Sequence, residues 1–174
     1  MINGGLTMIQ VNMERVLKNL TEIIQIDSES YHEGPMTDYL QKYFEDRGYE
    51  VYRDQAGKIV GGDHSGNLMV HIPGTLPGEG ICLNAHQDTV KPGLGIKPVL
   101  ENGILKSSGD TILAADDKSG IAMIMELLDL LTETKTPHRD LYLLFTICEE
   151  SGLYGAKNFD YSKLPVKNIF ALDG

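Results

Sequence analysis

Leu141-Tyr142-Leu143-Leu144-Phe145-Thr146-Ile147-Cys148 is an almost wholly apolar run that ends against two adjacent carboxylates, Glu149-Glu150. A run of this kind reads as a central β-strand covered on both faces, since a strand with one wet face alternates apolar and polar residues. Upstream of it, Asp117 to Leu131 carries Ile121, Ile124, Met125, Leu127, Leu128 and Leu131 at helical spacing and reads as the longest helix of the chain. Downstream, Gly155 to Phe159 starts another helix and Ile169-Phe170-Ala171-Leu172 reads as a last short strand.

Further out the pattern continues. Asn12 to Gln25 places Met13, Val16, Leu17, Leu20, Ile23 and Ile24 on one face of a first helix. A second helix begins near Pro35, a good first-turn residue, and stops at Gly48. Tyr49 to Arg53, Asn67 to Ile72 and Ile81 to His86 read as strands, with Pro73 to Gly80 as a turn. Lys91 to Asp110 is loop-like, with a brief pairing at Ile104-Leu105. Met1 to Gln10 has no periodicity and includes Gly4-Gly5, so residues 1–12 read as a tail or remnant. Strands alternating with helices imply an α/β fold in which a sheet lies between helix layers.

The chain has 174 residues, 41% hydrophobic and 23% charged, which suits one globular domain. With 15 Lys+Arg against 25 Asp+Glu its formal net charge is −10, which opposes binding to phosphate backbones and anionic membranes. No apolar run approaches the roughly 18 residues needed to span a bilayer, and no leader is visible, so a cytoplasmic location is expected. Cys82 and Cys148 lie in apolar runs without a CxxC pattern and read as buried free thiols. The absence of GxxxxGK[ST] and GxGxxG argues against a nucleotide-binding module, and the absence of GxSxG argues against a serine hydrolase.

Three apolar runs end in metal-ligand residue types: His86-Gln87-Asp88, Cys148-Glu149-Glu150 and Leu172-Asp173-Gly174. A fourth acidic pair, Asp116-Asp117, stands where a loop meets the long helix. In α/β sheets such strand ends are where sites form. Each feature alone has a plainer reading. Asp116 taken singly is better read as a helix N-cap, His86 as a histidine with an ordinary partner, and the two glutamates as solvated loop residues. Against the last, adjacent carboxylates after a buried strand repel unless a cation is near. Asp88, two residues from His86, is placed to accept the second N–H of a ligating imidazole.

Taken together, HQDTV at 86–90, ADDKSG at 115–120, EESGLYGA at 149–156 and LDG at 172–174 resemble the di-zinc metallopeptidases related to aminoacylases and carboxypeptidases, in particular the tripeptide aminopeptidases of the peptidase T branch. The resemblance implies a three-layer α/β/α sandwich with a mixed central sheet. It implies two divalent metal ions, zinc with cobalt or manganese as alternatives. His86 is then a ligand of one metal, Asp116 the bridge, Glu150 a ligand of the second and Asp173 the remaining carboxylate beside His86. Glu149 is the general base toward a metal-bridged water, Asp88 the partner of His86, and a cis peptide follows Asp116. In that family, aspartate at position 173 goes with aminopeptidases and dipeptidases more than with carboxypeptidases and deacylases.

The expected substrate is a small peptide with a free amine. A dipeptidase, an N-acyl amino acid deacylase or a non-catalytic domain of the same fold are the alternatives. The family also has a further histidine ligand and a lid or dimerisation domain that these residues do not contain. His32, His64, His71 and His138 match no motif. Residues 13–174 are therefore expected to be the N-terminal part of a catalytic domain, inactive by itself, with homodimerisation through the lid outside it.

Overall fold

Residues 10–173 are described in a computed structural model, and the tail reading for 1–9 lies outside them. The apolar stripes of the N-terminal segment form helices α1 (Met13–Ile24) and α2 (Gly34–Glu45). Asn12 belongs to the first of these as its N-cap, its side chain accepting from Arg15 N–H. Strand β1 (Val51–Arg53), a one-turn helix α3 (Ala56–Ile59) and strands β2 (Leu68–Ile72) and β3 (Ile81–His86) follow. A hairpin of β4 (Pro98–Glu101) and β5 (Ile104–Ser107) precedes the long helix α4 (Ala115–Thr134). The apolar run is β6 (Leu141–Thr146), and α5 (Tyr154–Asn158) and β7 (Ile169–Ala171) complete the order.

The main sheet is mixed, in the order β1-β2-β6-β3-β7. β2 runs antiparallel to both its neighbours, β1 and β6, whereas β3 pairs in parallel with both β6 and β7. Its central strand is covered on both faces. Leu143 and Phe145 of β6 pack with Ile23, Met36, Phe44, Ile121 and Met125 from α1, α2 and α4. Tyr142 and Leu144 pack on the other side with Cys82, Phe159 and Leu164. The edge strand β7 leaves Ile169 and Phe170 exposed. Both cysteines are free and buried. Among the described residues, no helix is long and apolar enough to cross a membrane.

Two elements differ from the sequence expectation. The loop expected over 91–110 contains a four-residue ladder from Pro98↔Ser107 to Glu101↔Ile104, with Gly103 in the left-handed region at its turn. Helix α3 is too short to show periodicity. It is held by a distant strand: the Asp54 carboxylate accepts from Ala56 N–H at 2.9 Å and from Asn67 N–H at 2.8 Å, just before β2.

Helices α1 and α4 are also joined electrostatically. The Arg15 guanidinium donates to Glu126 at 2.6 Å and to Glu133, and Glu126 accepts from Asn12 N–H at 2.8 Å. Arg15 holds the Glu126 carboxyl below the usual carboxylate range, so this contribution is present above the unfolded-state pKa and is lost as pH falls through the lowered value. Arg15→Gln is expected to cost roughly 1.5–3 kcal/mol near neutrality. Urea unfolding should show the gap to the wild-type chain narrowing below pH ~4.

Candidate metal centre

Because β6, β3 and β7 are parallel, their carboxyl ends lie side by side at one edge of the sheet, with His86 in register with Thr146. Helix α4 begins at the same edge. Two overlapping groups form there: ligand atoms of His86, Glu149 and Asp173, and of His86, Asp116 and Glu150, lie within 4.8 Å of one another. All of the sequence-predicted ligands are thus brought together around one imidazole.

His86 is 2% exposed. Its Nδ1 is 2.9 Å from the Asp88 carbonyl oxygen, which can only accept, so Nδ1 carries the proton and Nε2 faces the cluster, 3.0 Å from Asp116 Oδ1. The Asp88 carboxylate stands further off, with Oδ1 3.4 Å from Nδ1. The strand ends at His86, and the turn after it brings the Asp88 carbonyl to the ring in place of the expected carboxylate. Burial alone would lower the His86 pKa, but Asp88, Asp116 and Asp117 raise it to about 9.

The Asp88 carboxylate has a second task. Fully buried, it accepts from Glu149 N–H at 2.8 Å, Glu150 N–H at 3.2 Å and the Ser30 hydroxyl at 2.7 Å. Burial would raise its pKa, and His86, Ser30 and the Glu149 amide draw it below the usual range. The loop it anchors leaves β6 through Cys148 at φ +49°, in the left-handed region. Burial also raises the Glu149 and Glu150 carboxyls, reinforced by neighbouring carboxylates and opposed by His86.

The helix cap falls on Asp117 and not on Asp116. Asp117 is buried, and its Oδ1 accepts from Gly120 N–H at 3.0 Å while Oδ2 accepts from His86 N–H at 3.3 Å. Burial pushes its pKa to about 6. Asp116 is non-helical, makes no cap and leaves its side chain 62% exposed over the cluster. The Asp116-Asp117 peptide is cis.

The positive partner of these carboxylates is the His86 imidazole. Among the described residues, no Lys or Arg forms an ion pair with Asp88, Asp116, Asp117, Glu149, Glu150 or Asp173. Lys118, next in sequence, is buried and donates its amine to the Ile26 carbonyl at 2.7 Å. Burial lowers its pKa to about 8. An imidazole nitrogen with several carboxylate oxygens is the donor set that zinc, cobalt and manganese accept. The residues fit divalent cations.

Sequence reasoning missed Asp117, Ser30 and Glu33. The doubled aspartate signalled the first, since a helix start accommodates one cap and leaves one carboxylate over. Nothing local signalled the link of Ser30 to Asp88 or of Glu33 to Cys148, which span 58 and 115 residues.

The sequence pattern of Peptidase family M28 matches residues 67–172. A Bacillus subtilis protein, YqjE, whose function is uncharacterised, is 42% identical over 163 residues, covering 94% of this chain and 44% of its own. The crystal structure of aminopeptidase PepT from Bacillus cereus superposes with a TM-score of 0.90 at 40% identity, covering 94% of this chain and 44% of that one. A tripeptidase from Staphylococcus aureus gives a TM-score of 0.90 at 34% identity with the same coverages. The chain thus spans less than half the length of these relatives.

The cap geometry is testable. A Cβ at position 120 would lie 2.4 Å from Asp117 Oδ1, a short buried side chain with little freedom to withdraw. Gly120→Ala is expected to cost about 1–3 kcal/mol in urea unfolding and to shift the His86 amide resonance.

Proposed function

The chain belongs to Peptidase family M28, and from that premise we propose that residues 13–174 form the N-terminal part of the catalytic domain of a metal-dependent aminopeptidase, which releases the N-terminal residue of short peptides, tripeptides among them. The observation that carries this reading is the gathering of carboxylates around His86 with no Lys or Arg among the described residues ion-paired to them. The similarity to an aminopeptidase and a tripeptidase supports the choice of substrate.

In this reading His86 and Asp173 would hold one divalent cation, Glu150 would hold a second, and Asp116 would serve both. Two such ions, zinc by donor chemistry with cobalt or manganese as substitutes, would polarise the scissile carbonyl and acidify water. Glu149 takes the proton of the attacking water on its carboxylate and passes it to the leaving amine, as general acid–base catalysis requires. Asp88 keeps the His86 ring oriented through its carbonyl and holds the Glu149 and Glu150 amides through its carboxylate. The peptide substrate is small, and neither nucleic acid nor a membrane surface suits a chain of net charge −10.

The test is hydrolysis of a panel of free-amine tripeptides, dipeptides and N-acetyl amino acids with Zn2+, Co2+ or Mn2+ added. The chain is assayed alone, where silence is expected, and with the remainder of the catalytic domain supplied. Release of N-terminal residues from tripeptides should then appear, and Glu149→Gln should lower kcat about 10²–10⁴-fold. Turnover unaffected by Glu149→Gln would overturn the assignment. Asp88→Ala is expected to weaken Co2+ binding about 10–100-fold, the range for groups that orient metal ligands, as read by titration of the visible cobalt spectrum.

A further inference from the structure

Three successive backbone amides after β6 are each met by a carboxylate from a distant part of the chain. Cys148 N–H donates to Glu33 Oε1 at 3.0 Å, and Glu149 and Glu150 N–H donate to the two oxygens of Asp88 at 2.8 and 3.2 Å. The positive φ of Cys148 turns these N–H groups inward. A concave row of amides ordinarily collects an anion, and here two buried side chains take that place.

Glu33 is fully buried at the start of α2. Its Oε1 also accepts from Tyr31 N–H at 3.0 Å and lies 3.2 Å from Cys148 Sγ, whose S–H is its donor. Its Oε2 accepts from the Ser65 hydroxyl at 3.2 Å. Desolvating a carboxylate is costly unless its oxygens are filled, and these four donors fill them. They tie Tyr31, Ser65 and Cys148 to one rigid group.

We propose that Glu33 is a positioning residue for Glu149: by fixing the Cys148 amide it sets the direction in which the next two side chains leave the loop. The inference rests on the reading of Glu149 as general base. A displacement of about 1 Å at a reacting group can cost on the order of 10²-fold in rate, so the direction of that departure matters. Asp88 alone holds residues 149 and 150 but leaves the pivot at 148 free.

The test is amide hydrogen exchange on the metal-free 174-residue chain. Glu33→Ala should speed exchange at Cys148, Glu149 and Glu150 about tenfold, the order expected for one lost buried hydrogen bond, with Leu143 to Phe145 of β6 unchanged. Glu33→Gln, which keeps a carbonyl acceptor for both amides, should restore protection. Should Glu33→Ala not fold, Glu33→Asp withdraws the carboxylate by one methylene and should give the same pattern. Unchanged exchange at 148–150, or an equal rise throughout β6, would overturn the proposal. In the turnover assay kcat should fall with KM retained, and Glu33→Gln should recover it. Full turnover in Glu149→Gln alongside the expected exchange pattern would instead sink the reading of Glu149 as base, leaving the anchoring of the loop by Glu33 intact.

Discussion

Repulsion among carboxylates gathered at three parallel strand ends is the constraint to which the rest of the molecule responds. Two like charges 4 Å apart cost about 4 kcal/mol at an effective dielectric constant near 20, and the described residues supply one imidazole and no ion-paired Lys or Arg. The fold answers by dividing the acidic groups into two sets. Asp88, Asp117 and Glu33 are buried and filled by backbone amides and hydroxyl or thiol donors. The side-chain carboxylates of Asp116, Glu149, Glu150 and Asp173 accept no backbone amide or hydroxyl donor among the described residues and face the common space around His86 Nε2.

The first set builds what the second set uses. Asp117 starts α4 and touches the His86 amide, so the helix and β3 are fixed to each other where Asp116 projects. Asp88 joins β3 to the loop after β6, and Ser30 joins that carboxylate to the segment between α1 and α2. The sheet provides the alignment: parallel pairing of β3 with both neighbours delivers three strand ends to one edge. Each exposed carboxylate is therefore held by its backbone, with its own oxygens left free for a cation.

Much of this was legible in the sequence, and the boundary is physical. The apolar run at 141–148 identified the central strand because burial on both faces removes the polar alternation, and the packing of Leu143 and Phe145 on one side of the sheet and of Tyr142 and Leu144 on the other bears it out. The helices with long apolar stripes were equally readable. Helix α3 and the β4–β5 hairpin were not, since elements of four residues have no period to detect and depend on contacts such as Asp54 with Asn67. At the site, motif order located His86, Asp116, Glu149, Glu150 and Asp173, whereas the division of labour between Asp116 and Asp117 needed the backbone angles. Glu33 was invisible, because a buried glutamate is recognised only by the donors that surround it.

The most direct measurement is anomalous diffraction at the zinc edge from crystals of this chain grown in zinc. The account predicts metal peaks at ligand distance, about 2.0–2.2 Å, from His86 Nε2 and from the carboxylates of Asp116, Glu150 and Asp173. A crystal saturated with zinc in which His86 Nε2 still contacts Asp116 directly, with the metal bound elsewhere on the surface, would contradict it.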